Sequence, residues 1–291
     1  MYYLLVFQQL IASSTHLFAK VVTTTMHPTV VVLYRGMFSI IAYGIWLFIR
    51  RNKIERIEKQ DWLMLLLLGL LNMPMNQLMF VWGLKYTSAP NASLAYALSP
   101  AFVLIISSVM HGERLSVYKV VGISVAIIGT VVVLFERGFS FSGEHMFGNV
   151  IELCASLTWA FYTVLGRRIA LRYGAVYSTA ISMLIGFALY VPLFFTLTNT
   201  TLPEVNGSPL FINGEQWFGL FYLGVITSGL GFALWYVLLT KLESSKVAVF
   251  NNLQPVLTTI LAVIFLHQQP SLLFVIGGIV ALVGVVITQR G

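Results

Sequence analysis

Apolar residues run along this chain in long blocks divided by short polar breaks. The blocks fall at about residues 2–22, 28–49, 62–84, 88–110, 116–134, 147–166, 174–197, 216–240, 245–266 and 270–288. A helix needs roughly 20 mostly apolar residues to cross the bilayer core, and the blocks are close to that length. They are too long for barrel strands and lack the alternation of one. His27–Pro28, Ser88–Ala89–Pro90 and Gln269–Pro270 sit at breaks and signal tight hairpins. The pattern predicts an all-α integral membrane protein with ten transmembrane helices.

Composition agrees. Hydrophobic residues make up 58% of the 291 residues and charged residues 9%, too little charge to cover a water-facing surface. The excess apolar surface faces the lipid bilayer. The net charge of +7 does not mark a nucleic-acid binder, because the charges lie in short clusters between apolar runs. Arg50, Arg51, Lys53, Arg56 and Lys59, then Arg114 and Lys119, then Arg167, Arg168 and Arg172, then Lys241 and Lys246, then Arg290 fall at alternate breaks. The opposite side holds Lys20, Lys85 and Arg137. By the positive-inside rule both termini are cytoplasmic, and a multi-pass protein of the plasma membrane, the inner membrane in a bacterium, is expected. The first run lacks a basic leader and continues to about Val22, so it is read as a span rather than a cleavable signal. A single cysteine, Cys154, rules out an intramolecular disulfide and a thiolate metal cluster. No metal or cofactor is expected.

The chain also repeats itself. Under a shift of 155 residues Trp62 falls on Trp217, Gly69 on Gly224, Pro100 on Pro255, Gly122 on Gly277 and Gly129 on Gly284. Earlier in each half the shift is 143, which lays LIASSTHLFAK (10–20) on LCASLTWAFYT (153–163). The difference belongs to the longer polar loop around 198–215. Two repeats follow, residues 1–136 and 145–291. Five helices is an odd number, so the second repeat enters the membrane in the opposite orientation. Inverted-topology repeats are a common carrier architecture, with the substrate site near the midplane between the halves.

Pro100 and Pro255 occupy matching places near the middle of their blocks. Each removes one helical hydrogen bond and frees the carbonyl four residues earlier, at Tyr96 and at Asn251. Such a carbonyl is tolerated at bilayer depth where protein or a water-filled cavity satisfies it. A kink that only shapes packing is the competing reading. His16, Asn76, Trp159, Tyr162, Trp235 and Asn252 lie at similar depth, and with the two proline sites they make up the expected substrate pathway. Asn72 and Gln77 fit interhelical hydrogen bonding equally well. An aromatic-walled cavity with few fixed charges suits neutral, zwitterionic or amphipathic small molecules. Lys20, Arg35 and Glu152 lie toward the outer side, where an outer charge cluster would gate access or titrate during proton coupling; snorkelling of Lys20 and a static Arg35–Glu152 pair are the plainer alternatives. The glycines of helices five and ten predict close packing, as scaffold or homodimer contacts.

The stretch SPAFVLIISSVMHGERLSVYKVVGISVAIIGTVVVL (99–134) resembles the signature of the drug/metabolite transporter superfamily, specifically its EamA-like exporters. The signature has a proline in helix four, a Gly–Glu turn and a glycine-spaced helix five. The copy at 254–288 departs from it, with His267–Gln268 where the family usually has Gly–Glu. Arg35 and the Trp159–Ala160 pair also look like the family. The resemblance spans the chain and implies ten helices, export or exchange, and no ATP. It leaves amino acids, other metabolites and drugs all open as substrates, and Glu113 reads as a cap or hairpin residue.

The sequence therefore reads as a secondary active transporter working by alternating access, an exporter on the strength of the resemblance. Proton coupling, sodium coupling, facilitated diffusion and exchange are all compatible with it. A channel would need a selectivity ring. An intramembrane enzyme is disfavoured, because H-E-x-x-H, G-x-S-x-G and paired aspartates are missing and Asp61 is the only aspartate. The chain has no P-loop for ATP hydrolysis.

Overall fold

A computed structural model describes residues 1–51, 56–87, 92, 95–136, 143–201, 214–257, 260 and 272–291. Helix α1 (Tyr2–Thr25) spans 24 residues, about 36 Å at 1.5 Å per residue. His27 caps α2 (Pro28–Arg50), its ring accepting from Thr29 N at 3.3 Å, and Pro28 occupies the first turn, where its missing N–H costs nothing. A 3-10 turn, Lys59–Asp61, leads into α3, which runs as Trp62–Leu70, a π-helical segment Leu71–Gln77, and Leu78–Tyr86. Next come α4 (Ser99–His111), α5 (Val117–Glu136), α6 (Gly143–Tyr173) and α7 (Ala175–Thr201). Helix α8 repeats the construction of α3: Gly214–Phe221, a π segment Tyr222–Gly231, then Phe232–Leu239. Helix α9 starts as Ser244–Ala248 and tightens into a 3-10 segment, Val249–Leu253. Helix α10 is Leu272–Gln289. The described residues contain no strand.

The packing is inverted relative to a water-soluble bundle. Leu63, Val109 and Leu272 are 75%, 83% and 75% exposed, while Gln9, Asn72, Glu152 and Asn252 are fully buried. Apolar outside and polar inside is the arrangement that lipid rewards. By length and hydropathy, Pro28–Arg50, Lys59–Tyr86, Ala175–Thr198 and Gln216–Leu239 can each cross a membrane.

The chain ends lie together. The Tyr2 ring stacks on Phe250 at 6.4 Å, and Gly291 lies against Ser116 and Lys119. At this end the Arg172 guanidinium bonds Asp61 at 2.7 Å and also pairs with Glu58, tying the end of α6 to the start of α3. Lys119 pairs with Glu113 at 3.1 Å and Glu243 at 2.6 Å. Glu113 also accepts from the Ser245 hydroxyl. It is therefore a link between the α4–α5 turn and α9; the cap of α4 is Gly112, at φ 65°. At the other end Thr87 donates to Asn149 at 2.5 Å and Gln216 to Thr25 at 2.7 Å.

Each of the two prolines follows a locally tightened turn inside a helical run. Before Pro100 the chain is tightened, with Leu98 N donating to Ala95 O at 3.3 Å, and α4 begins at Ser99. Pro255 follows the 3-10 segment of α9 in the same way. The ring expels the usual i−4 bond, and the turn ahead of it closes to i+3 geometry. The hairpins at Ser88–Ala89–Pro90 and Gln269–Pro270, and His267–Gln268, lie outside the described residues.

Helices α5 and α10 pack face to face through their glycines. A Cβ on Gly129 would stand 2.3 Å from Ala281 N, and one on Gly284 2.3 Å from Ala126 N. The small-residue faces expected to serve as scaffold or dimer contacts are turned toward each other within one chain.

Candidate functional site

A cavity of about 70 Å³ lies inside the bundle. Its walls come from α1, α2, α3, α6, α8 and α9, together with Tyr96 just ahead of α4; among the described residues α5, α7 and α10 supply none. The two π segments explain how α3 and α8 reach it. A π turn adds a residue to the helical ring and re-aims the side chains that follow, and it is frequent at functional sites. In α3 the segment contains Pro74, which cannot donate to the helix, and it presents Asn76. In α8 the segment presents Thr227 and Gly231 to the cavity, with Phe232 directly after it.

One wall is a network of amides. The Gln9 amide nitrogen donates to Gln8 Oε1 at 2.8 Å and Asn251 Oδ1 at 3.2 Å. Gln254 Nε2 donates to Gln9 Oε1 at 3.0 Å, and its Oε1 faces His16 Nε2 at 3.1 Å. Asn251 Nδ2 donates to Ser99 Oγ at 2.7 Å. Opposite, Asn76 Nδ2 donates to the Tyr96 hydroxyl at 2.9 Å and to Ala155 O at 2.8 Å. Two aromatic groups complete the enclosure. Phe80 and Tyr96 stand edge-on to the His16 ring at 5.1 and 6.0 Å. Trp159 contacts Phe232 at 5.0 Å and Trp235 at 5.4 Å.

His16, Asn76, Tyr96, Trp159 and Asn251, expected along the pathway, line the cavity together. Tyr162 and Trp235 stand behind the aromatic wall: Tyr162 takes a bond from Asn72 at 3.3 Å, and Trp235 donates to Thr163 at 3.1 Å. Asn252 turns away and accepts from Thr130 of α5 at 3.0 Å. Pro100 and Pro255 shape the backbone beside the cavity and do not line it. Asn72 and Gln77 bond each other at 2.9 Å inside the bundle.

The expected cluster of Lys20, Arg35 and Glu152 does not assemble: no ion pair joins any two of them. Lys20 donates to Leu84 O at 2.9 Å and Thr87 O at 3.4 Å, capping carbonyls at the end of α3. Glu152 is fully buried against Gly83, and neither carboxyl oxygen has a hydrogen-bond partner among the described residues. Arg35 turns inward, its Nε donating to Ser228 Oγ at 2.6 Å and its guanidinium carbon lying 6.0 Å from the Phe232 ring centroid. It lines the cavity, and no other charged side chain among the described residues does.

Several wall residues escaped sequence reasoning. Gln8 and Gln254 are uncharged amides inside apolar runs, the same signal that flagged the asparagines. Thr227 of the wall, and Ser228 that holds Arg35, are short hydroxyls in an apolar block, and such residues often bond their own helix, so the sequence offers no signal for them.

An inside-out helical bundle around a polar, aromatic-walled cavity is the build of a membrane transporter. The model of the EamA-like transporter family matches residues 1–135 and 146–290, and the chain belongs to that family. An uncharacterized transporter of Archaeoglobus fulgidus is 29% identical over 286 residues, covering 98% of this chain and 96% of the relative. A protein named as a probable terminal-alkyne amino-acid exporter, from Streptantibioticus cattleyicolor, is 24% identical over 239 residues, covering 81% and 76% of the two chains. A solved crystal structure superposes with a TM-score of 0.79 at 22% identity, covering 99% of this chain and 96% of the other. That last likeness concerns the fold alone. The family and these relatives are transporters, so the chain is a transporter and not an enzyme.

Proposed function

We propose that the protein is a secondary active exporter of small amphipathic metabolites, amino acids foremost, across the plasma membrane by alternating access. In this reading ten spans form two inverted five-helix repeats with both termini cytoplasmic. The observation that carries it is the cavity, whose walls come from both stretches matched by the family model. The placement of α1 and α6 supports the inversion: α1 starts beside the chain termini, whereas α6 starts at the opposite end, next to Thr87. Ligand pockets usually measure about 300–1,000 Å³, and a cavity of about 70 Å³ admits little more than water. The walls must therefore part to hold a whole amino acid, a movement that alternating access would supply.

Amino acids are favoured by the name of the Streptantibioticus relative and by the mix of amide and aromatic walls. Proton coupling is assigned to Glu152, a buried acid without a partner among the described residues. A homodimer at α5 and α10 would use their outer faces, where Ile128, Ile279 and Leu282 are exposed.

The reading is tested in a bacterial host stripped of its own amino-acid exporters. Expression should lower cellular accumulation of labelled neutral amino acids, and Asn76→Ala or Trp159→Ala should restore it. Equal accumulation with and without the protein, across a panel of amino acids and other metabolites, would contradict export.

A further inference from the structure

Arg35 poses a problem that its partners do not solve. Its side chain is 2% exposed, yet none of the ion pairs among the described residues involves it. A buried cation without a counter-charge is costly. Ser228 holds one edge of the guanidinium through Nε. Ser228 is itself held, with the Tyr43 hydroxyl donating to its carbonyl at 3.1 Å. Neither terminal nitrogen of Arg35 has a hydrogen-bond partner among the described residues, and the side chain lines the cavity. A guanidinium fixed along one edge with both terminal nitrogens unspent is shaped for a planar oxyanion, bound in bidentate fashion.

A second group in the same cavity is also unspent. His16 is 4% exposed, and its Nδ1 has no partner among the described residues. The amide network fixes which form the ring takes. Gln254 Nε2 is occupied as a donor to Gln9 and Asn251. The Gln254 atom facing His16 is therefore the carbonyl oxygen, an acceptor. His16 Nε2 must carry the proton and donate it, which leaves Nδ1 a bare acceptor in the neutral ring. A bare acceptor calls for an N–H.

We infer that Arg35 and His16 Nδ1 form a two-point site for a zwitterionic solute, Arg35 holding its carboxylate and His16 its amino group. This rests on the cavity being the transport site and names the chemistry that site selects. The aromatic wall of Trp159 and Phe232 receives an apolar or aromatic side chain. A solute bearing one carboxylate fits better than a phosphate ester, because a single cation faces the cavity and a phosphate carries nearly two charges.

The test uses purified full-length protein and three probes built on one phenethyl frame: L-phenylalanine, 3-phenylpropionate without the amino group, and phenethylamine without the carboxylate. Thermal stabilisation in detergent reads binding, and counterflow in proteoliposomes reads transport. Wild type should prefer phenylalanine, then 3-phenylpropionate, then phenethylamine. Arg35→Gln should weaken phenylalanine and 3-phenylpropionate by about tenfold to a hundredfold, the range for charge-assisted bonds, and leave phenethylamine unweakened. His16→Phe should weaken phenylalanine several-fold and spare 3-phenylpropionate. Arg35→Lys, which keeps the charge but loses the fork, should fall between wild type and Arg35→Gln. A global folding defect lowers all three probes together, so the ratio between probes isolates the site. Wild type that exchanges phenethylamine as well as 3-phenylpropionate, or an unchanged ratio in Arg35→Gln, overturns the site and leaves carrier function standing. Absence of saturable exchange for all three, and for a wider metabolite panel, sinks the carrier reading and the site with it.

Discussion

Lys119 fastens the end of the bundle where both termini lie, and its removal tests whether that end opens. The side chain is 2% exposed and bridges Glu113, 7% exposed, and Glu243, 47% exposed. Because Glu243 and Ser245 precede and begin α9, the bridge joins the α4–α5 turn to the start of α9. Breaking a buried pair by deleting one partner costs about 3–5 kcal/mol. Glu113 keeps the Ser245 hydroxyl as a donor, so Lys119→Met should cost less, about 2 kcal/mol, which raises the open-to-closed ratio about 30-fold. Glu243→Gln disturbs only the half-exposed partner, worth about 0.5–1 kcal/mol, a two- to fivefold rise. The reporter is Ala248, fully buried beneath this end against Val103, Ala160 and Val164. In a background where the exposed Cys154 is serine, Ala248→Cys should react with a water-soluble maleimide only through the open state. Lys119→Met should speed labelling about 30-fold and Glu243→Gln about two- to fivefold. Burial acts to raise the Glu243 carboxyl, but the Lys119 hydrogen bond and the charges of Lys119, Lys246 and Arg167 outweigh it and hold the carboxyl below its ordinary value of 4.5. A depressed acid contributes stability above its unfolded value and loses it only as pH falls through the folded one. Wild-type labelling, divided by the rate of a freely exposed thiol at the same pH to remove the change in thiolate content, should therefore be flat between about pH 6 and 8. Equal labelling in wild type and Lys119→Met, or equal acceleration by the two variants, would refute the latch.

Other consequences follow from the packing and the turns. Gly129→Ala and Gly284→Ala each place a methyl 2.3 Å from a backbone nitrogen of the facing helix, where ordinary contact begins near 3.4 Å. Helices α5 and α10 must then separate by about 1 Å, at a cost of about 1–3 kcal/mol. Thermal unfolding should show the loss, side-chain trimming at Ala281 should not rescue it, and probe binding should be unchanged in the folded fraction. Glu152→Gln should flatten the pH dependence of proton-driven transport while leaving counterflow intact; an unchanged pH profile would remove Glu152 from coupling. His27, in the turn between α1 and α2, is lowered from 6.5 to about 4, by burial first and by the Lys85 charge second. A depressed histidine stabilises the fold above about pH 6.5, and that stability is lost as pH falls toward 4. With its partial exposure discounted, the effect is about 1 kcal/mol, read as a drop in Tm between pH 7 and 5 that His27→Asn should abolish.

The apolar blocks and their polar breaks were readable because lipid imposes length and polarity directly on sequence. The glycines of α5 and α10 were readable for a similar reason, since close helix approach demands small residues at a fixed spacing. The cavity was half readable. His16, Asn76, Trp159 and Asn251 stood out as polar or amphipathic groups in apolar runs, and they do meet. The π segments did not stand out. Pro74 was visible, but a proline alone does not say whether a helix will kink, break or widen, because neighbouring helices decide that. The charges misled for a related reason. Depth along a span placed Arg35 near Glu152, but depth does not fix the face. The bond to Ser228 on α8 turns Arg35 into the cavity, and Gly83 leaves room for Glu152 against α3.

Counterflow in proteoliposomes tests the carrier reading most directly. Vesicles preloaded with unlabelled L-phenylalanine and diluted into a trace of labelled L-phenylalanine should accumulate label transiently above equilibrium. The overshoot should saturate with outside substrate, and Arg35→Gln should need about tenfold to a hundredfold more substrate to reach it. Ion conductance without an overshoot, for phenylalanine and for a wider metabolite panel, would contradict alternating access and mark the cavity as part of a channel.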